Sequence, residues 1–185
     1  MYRALTWKAL QKGIDLHNED LLFELADSTD INFESRADLQ TVLCDGMDVT
    51  EAIRSPEVNA GVSATAVHPL VRKIMVKKQQ LMAQANNVIM DGRDIGEVVL
   101  PDAEFKFFLT ARLSERAARR ALEMEGQGHD VDQNAIKIDI DKRDRMDSER
   151  AVGSLKILPD SIVIDTSECN ANEVLAQVLT IIGKV

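Results

Sequence analysis

The run Val88-Ile89-Met90 ends abruptly in Asp91-Gly92-Arg93-Asp94, and no other stretch restricts the architecture as tightly. Apolar residues followed at once by charge read as a buried strand whose tip carries two carboxylates and a guanidinium. Open α/β sheets bind their ligands at that edge, outside the carboxyl ends of the strands. A guanidinium between two carboxylates there suits capture of a phosphate combined with contacts to a metal or a polar group.

The rest of the chain alternates as such a sheet requires. Residues 2–12 read as a helix with Ala4, Leu5, Ala9 and Leu10 as its apolar positions, and Asn18 caps a second helix over 19–26. The period then shifts towards strands at 31–34 and 39–43, and Asp45-Gly46 is a turn signal, so a small antiparallel element is set into a helical surround. Thr50 caps a short helix, and His68-Pro69 opens a long one to about residue 86. Strands follow at 88–90 and 104–109, helices at 113–126 and 134–151, then strand 161–165 and helix 171–183. The last pair is the clearest. Ser161-Ile162-Val163-Ile164-Asp165 is a buried-strand run, and Val174, Leu175, Val178, Leu179 and Ile182 fall on one helical face. Such alternation predicts a parallel sheet covered by helices on both faces, although only three core strands are evident.

Length allows one domain with room for a small insert. The net charge of −9 argues against general affinity for nucleic acid or anionic membrane, and the single Trp7 and Tyr2 leave no stacking platform for bases. Basic residues nevertheless cluster: Arg72, Lys73, Lys77 and Lys78; Arg112, Arg116, Arg119 and Arg120; Arg143, Arg145 and Arg150. Segregated arginines in an acidic protein suit a small, highly charged anion, while a solvated helix face accounts for any one cluster taken singly. Cys44 and Cys169 lie far apart and read as reduced thiols of a cytosolic protein. No apolar stretch approaches the length of about 18 residues that a membrane span requires, and no basic-then-apolar leader is present.

Helix 134–151 brings Arg143, Asp147 and Arg150 onto one face. Alone, that pattern equals a pair of exposed intrahelical ion pairs worth only tenths of a kcal/mol. Asp139, Asp141, Asp144 and Asp147 lack the glycine and terminal glutamate of a calcium loop, and a helix splays such carboxylates apart. His17, His68 and His129 show no ligand or nucleophile spacing.

In order along the chain, Tyr2-Arg3, Ile53-Arg54-Ser55-Pro56-Glu57-Val58, Ser63, Arg72, Asp91-Gly92-Arg93-Asp94 and Arg143 through Arg150 resemble the bacterial cytidylate kinases. Val98-Val99-Leu100-Pro101-Asp102-Ala103 and Glu115-Arg116-Ala117 resemble the same family, so the likeness spans essentially the whole chain. It implies an α/β fold of the P-loop nucleoside monophosphate kinase type. The core would comprise 1–26 and 68–185 with a lid at about 116–133, and 27–67 would be the insert that binds the nucleoside monophosphate. The implied reaction moves the γ-phosphate of ATP to CMP or dCMP, giving CDP or dCDP, with magnesium accompanying ATP. A cytoplasmic monomer is implied, without membrane or nucleic-acid partners.

The resemblance also distributes roles. Arg3 and Arg93 would hold the acceptor phosphate. Ser63, Arg72 and Asp94 would read the cytosine edge with Arg150 in support, and Arg143 and Asp147 would face the ribose. Asp91 takes the place of the acid that organises magnesium and its waters, with no residue ligating the metal directly. Arg116, Arg119 and Arg120 in the lid would steady the transferring phosphoryl group.

One departure stands out. Members of the family begin with an apolar strand, a Gly-x-x-x-x-Gly-Lys-Ser/Thr loop and a helix before Tyr-Arg, whereas here Met1 directly precedes Tyr2-Arg3 and none of the nine glycines has that spacing. The expectation is therefore a fold with the first strand and P-loop absent, as a truncated and impaired kinase with its acceptor side intact. The alternative is a catalytically inactive homologue that binds CMP. A different small-molecule kinase or a partner-binding relic is disfavoured by the set Ser63, Arg72 and Asp94.

Overall fold

In the computed structural model of the protein, residues 1–36, 39–85, 87–126, 128, 130–149 and 153–183 are described, with only the backbone at 35, 36 and 39. They form a mixed α/β fold in two units, Met1–Ile89 and Met90–Val185.

The first unit contains α1 (Tyr2–Gln11), α2 (Glu19–Ser28), β1 (Ile31–Arg36), β2 (Leu39–Cys44), β3 (Met47–Asp48), a 3-10 turn over Ala52–Arg54, α3 (Pro56–Ala66) and α4 (Pro69–Ala85). Asn18 caps α2 by accepting from the Leu21 amide at 3.1 Å, as its position before Glu19 and Asp20 requires. The three strands form an antiparallel sheet in the order β1-β2-β3, with Ile31 opposite Cys44 and Cys44 opposite Met47. Asp45 and Gly46 both adopt positive φ, 50° and 79°, giving the two-residue loop whose twist matches that of the strands. The Asp45 carboxylate accepts from the Asp30 amide at 2.9 Å and pairs with Lys8 of α1, so the hairpin is tied down at its tip. Burial opposes ionisation of Asp45, yet the bonds from Lys8 and Asp30 outweigh it and hold the carboxyl below its usual range. Leu5, Leu22, Ile31, Val49, Val71 and Met75 are all but inaccessible and form one core that draws on α1, α2, the sheet and α4.

The second unit contains a π-helical turn (Ile95–Val99), β4 (Phe107–Thr110), α5 (Leu113–Gly126), α6 (Gln133–Ser148), β5 (Ile162–Asp165) and α7 (Ala171–Ile182). β4 and β5 pair in parallel, Phe107 opposite Ile162 and Thr110 opposite Asp165. Asp132 caps α6, and Asn170 with Glu173 closes a reciprocal capping box on α7.

Val88–Met90 is not the strand that its composition suggests. It makes no ladder, Ile89 is fully exposed, and Val88 is exposed as well. A strand exists only through its inter-strand bonds, and among the described residues β4 and β5 bond to each other alone. In the same way, only Ile164 of β5 is buried, while Ile162 and Val163 are exposed, because a two-stranded ladder offers little covered surface. The apolar stripe of α7 likewise leaves Leu175, Leu179 and Ile182 exposed. The helix expected to reach residue 151 ends earlier: α6 stops at Ser148, with Glu149 as its C-cap, whose amide donates to the Arg145 carbonyl at 2.9 Å. Among the described residues, no helix is long and apolar enough to cross a membrane.

Adjacent positions of α2 provide a test of this core. Leu22 is wholly buried and Leu21 is exposed. Leu22→Ala is expected to lower stability by about 2–5 kcal/mol and Leu21→Ala by no more than about 0.5 kcal/mol, read from urea midpoints.

Candidate active site

Burial of charge marks the site more clearly than any motif. Among the described residues, three charged side chains are buried, Arg72, Asp94 and Asp147. An ion removed from water costs several kcal/mol unless compensated, so such positions are kept sparingly.

In the first unit, Arg3 lies in the opening turn of α1. Its Nη1 donates to the Ile53 carbonyl at 3.0 Å and to Asn59 Oδ1 at 2.5 Å. Asn59 belongs to α3, which starts sharply because Ser55 caps it and Pro56 has no amide to leave unpaired. The second nitrogen of that amide, Asn59 Nδ2, donates to the Arg54 carbonyl at 2.8 Å. Ser63 is half-buried one turn further along α3. α1 and α3 are held side by side by the Thr6–Thr65 hydroxyl bond of 2.9 Å. Arg72 of α4 is 4% exposed, donates to the Ala66 carbonyl at 3.4 Å and lies 5.9 Å from the Tyr2 ring centre, within reach of a cation–π contact.

In the second unit, the Asp91–Asp94 segment feeds the π-helical turn, whose first carbonyl, on Asp94, accepts from the Val98 amide at 2.8 Å. Gly92 is required here, since a β-carbon would stand 2.8 Å from Ile95 Cγ1. Arg93 donates through Nε to Asp147 Oδ2 at 2.7 Å; the Asp147 side chain is 6% exposed and that of Arg93 43%. A guanidinium gripped through Nε keeps its two terminal nitrogens as a fork. The structure thus brings together two candidates that lie far apart in sequence. Arg143 and Asp91 are exposed, and Arg150 lies outside the described residues.

The arginines of α5 expected to act on the transferring phosphoryl group have separate attachments. Arg116 pairs with Asp144 at 2.6 Å, joining α5 to α6, and also donates to the Ala111 carbonyl at 3.1 Å. Arg120 pairs with Glu123 on its own helix at 2.7 Å. Arg119 reaches the segment after β5, donating to Thr166 Oγ1 at 3.1 Å, to the Cys169 carbonyl at 3.0 Å and to the Thr166 carbonyl. In that segment Asp165 accepts from the Ser167 hydroxyl at 2.6 Å and the Ser167 amide at 2.9 Å, and these bonds hold its carboxyl below the usual range. Among the described residues, no three His, Cys, Asp or Glu side chains are grouped to hold a metal.

The family model of cytidylate kinase matches residues 1–184. The chain belongs to the cytidylate kinase family. It is 43% identical to cytidylate kinases of Bacillus cereus strains ATCC 10987 and B4264 and of Bacillus thuringiensis strain Al Hakam. Each match covers all of this chain and 82% of the relative.

Within this member of the cytidylate kinase family, the sequence reading passed over Asn59 and weighed Asp144 only as a metal ligand; the two bond Arg3 and Arg116. A lone asparagine inside a helix carries no signal of a contact with Arg3. The acid at the end of Ile162-Val163-Ile164-Asp165 repeats the apolar-then-charged pattern of residues 88–91, and it is here that the pattern marks a true strand tip.

Two outcomes follow from these attachments. Arg119→Ala, which strands carbonyl acceptors, is expected to cost about 1–3 kcal/mol in denaturant unfolding, and Arg120→Ala under about 0.5 kcal/mol. Because the folded pKa of Asp165 is depressed, its contribution is present above the ordinary carboxylate pKa and is lost as pH falls through the folded value. The Tm difference between the native protein and Asp165→Asn should therefore be full at pH 7 and vanish in strong acid.

Proposed function

We propose that the chain is a nucleoside monophosphate kinase that transfers the ATP γ-phosphoryl group to CMP or dCMP, giving CDP or dCDP. One observation carries this reading. The three buried charges among the described residues, Arg72, Asp94 and Asp147, all fall in the set expected to bind CMP. Stability alone selects against buried ions, whereas a site that must recognise a polar ligand retains them.

Roles follow from chemistry. Arg3 and Arg93 neutralise and orient the acceptor phosphate, and the fork of Arg93, steadied at Nε by Asp147, suits two parallel bonds to phosphate oxygens. Asp94 accepts from the exocyclic amine of cytosine, while Arg72 and Ser63 donate to its ring acceptors. Arg143 and Asp147 meet the sugar, and Arg150 supports the base-reading set. In the reaction, orientation of the acceptor oxygen for in-line attack is the main contribution of these residues, because loose phosphoryl transfer requires chiefly positioning and charge stabilisation. Arg116, Arg119 and Arg120 are the candidates for stabilising the charge that develops on the transferred group.

Magnesium fits the residues present. Asp91 is a single exposed carboxylate, suited to accept hydrogen bonds from the several waters that magnesium commonly keeps beside substrate phosphates. When bound with ATP it supplies charge neutralisation across the phosphates. Segment 27–67 is the proposed monophosphate-binding insert and 116–133 the lid, in a cytoplasmic monomer.

The test combines a titration with an assay. CMP and dCMP should bind in the absence of ATP, and CDP should form on adding ATP and magnesium; binding without CDP would favour the alternative of a CMP-binding homologue. Arg93→Ala and Asp94→Ala should each weaken CMP at least about tenfold, the scale of losing a charged hydrogen bond. Asp94→Asn should also narrow the preference for CMP over UMP, since uracil presents a carbonyl where cytosine presents the amine.

A further inference from the structure

Arg3 and Arg93, the two guanidiniums assigned to the acceptor phosphate, are held in chemically different ways. Arg93 leans on the carboxylate of Asp147, which offsets part of its charge. Arg3 is gripped at Nη1 by two uncharged acceptors, the Ile53 carbonyl at 3.0 Å and Asn59 Oδ1 at 2.5 Å. We infer that Asn59 is the positioning residue for Arg3, orienting its guanidinium towards the acceptor phosphate through an acceptor that brings no charge of its own.

The local geometry supports this role. The Asn59 amide is fixed at both ends, with its oxygen on Arg3 and its nitrogen on the Arg54 carbonyl at 2.8 Å. Its backbone amide is bonded to the Ser55 carbonyl at 2.9 Å, inside the first turn of α3. That turn is set by the Ser55 cap and Pro56, so the side chain projects from a rigid base. An arginine free to rotate loses part of its rotamer entropy on gripping an anion. Holding it beforehand reduces that loss. A carboxylate at position 59 would also orient Arg3, but it would cancel the charge that the phosphate needs and repel the phosphate itself. An amide oxygen supplies direction alone.

This inference rests on the reading of Arg3 as a phosphate ligand, and the experiment separates the two. CMP and cytidine, which differ only in the phosphate, are titrated calorimetrically into the native chain, Asn59→Ala, Asn59→Asp, Arg3→Ala and the double variant Arg3→Ala/Asn59→Ala, with melting curves recorded for each. Asn59→Ala should weaken CMP three- to tenfold and leave cytidine within twofold. The double variant should bind CMP no more weakly than Arg3→Ala. Asn59→Asp, which keeps the shape and an oxygen for Arg3, should weaken CMP more than Asn59→Ala does. A merely structural role predicts instead that the near-isosteric aspartate is the milder change and that cytidine suffers equally. Either of those results, or additive losses in the double variant, overturns the role of Asn59. If Arg3→Ala weakens CMP while Asn59→Ala does not, Asn59 alone is refuted; if Arg3→Ala leaves CMP unchanged, the reading of Arg3 falls and that of Asn59 with it.

Discussion

The cost of removing a charge from water is the constraint on which the candidate site depends. Arg72, Asp94 and Asp147 are buried where an apolar residue of similar volume would be cheaper. Each is therefore tied to the fold around it. Asp147 is met by the Nε of Arg93, and Arg72 lies against the Tyr2 ring and the Ala66 carbonyl. The elements that carry them have to be in register for those contacts to form. In that sense the charges of the candidate site and the local packing are one constraint.

Within the first unit, α1 is the organising element. Ala4, Leu5, Thr6 and Ala9 are buried, and the core that Ala4, Leu5 and Ala9 enter also contains Leu22, Ile31 and Met75. The same helix presents Arg3 to the Ile53 carbonyl and Asn59, and Lys8 to Asp45. Burying these residues thus fixes a polar contact at each end of the helix. In the second unit the core is smaller, and ion pairs and side chain–backbone bonds provide much of the linkage: Arg116 to Asp144 across α5 and α6, and Arg119 to the segment after β5. Such contacts are directional and locally strong but gain little from apolar burial.

Much of the architecture was legible beforehand because its signals are local. Asn18 before Glu19 and Asp45-Gly46 between two strand patterns specify a cap and a turn by hydrogen-bond chemistry within a few residues. The candidate ligands were legible for a different reason, as an ordered set of motifs. Val88-Ile89-Met90 misled because a strand is not a local property: it requires a partner, and the same three residues without one are coil, with Val88 and Ile89 exposed. The stripe on α7 misled similarly, since amphipathic spacing shows which face is apolar and not whether anything covers it.

By itself, then, the sequence determined the family, much of the succession of helices and strands, the hairpin turn and the residue types of the candidate site. Tertiary structure decided which of those residues are buried and which are linked. It buried Asp147 and left Arg143 exposed, although both lie on one helix, and it joined Arg93 to Asp147 across 54 positions and Arg3 to Asn59 across 56. The physical reason is range. Capping and turn formation act over a few residues, whereas desolvation and guanidinium orientation depend on atoms that only folding brings near.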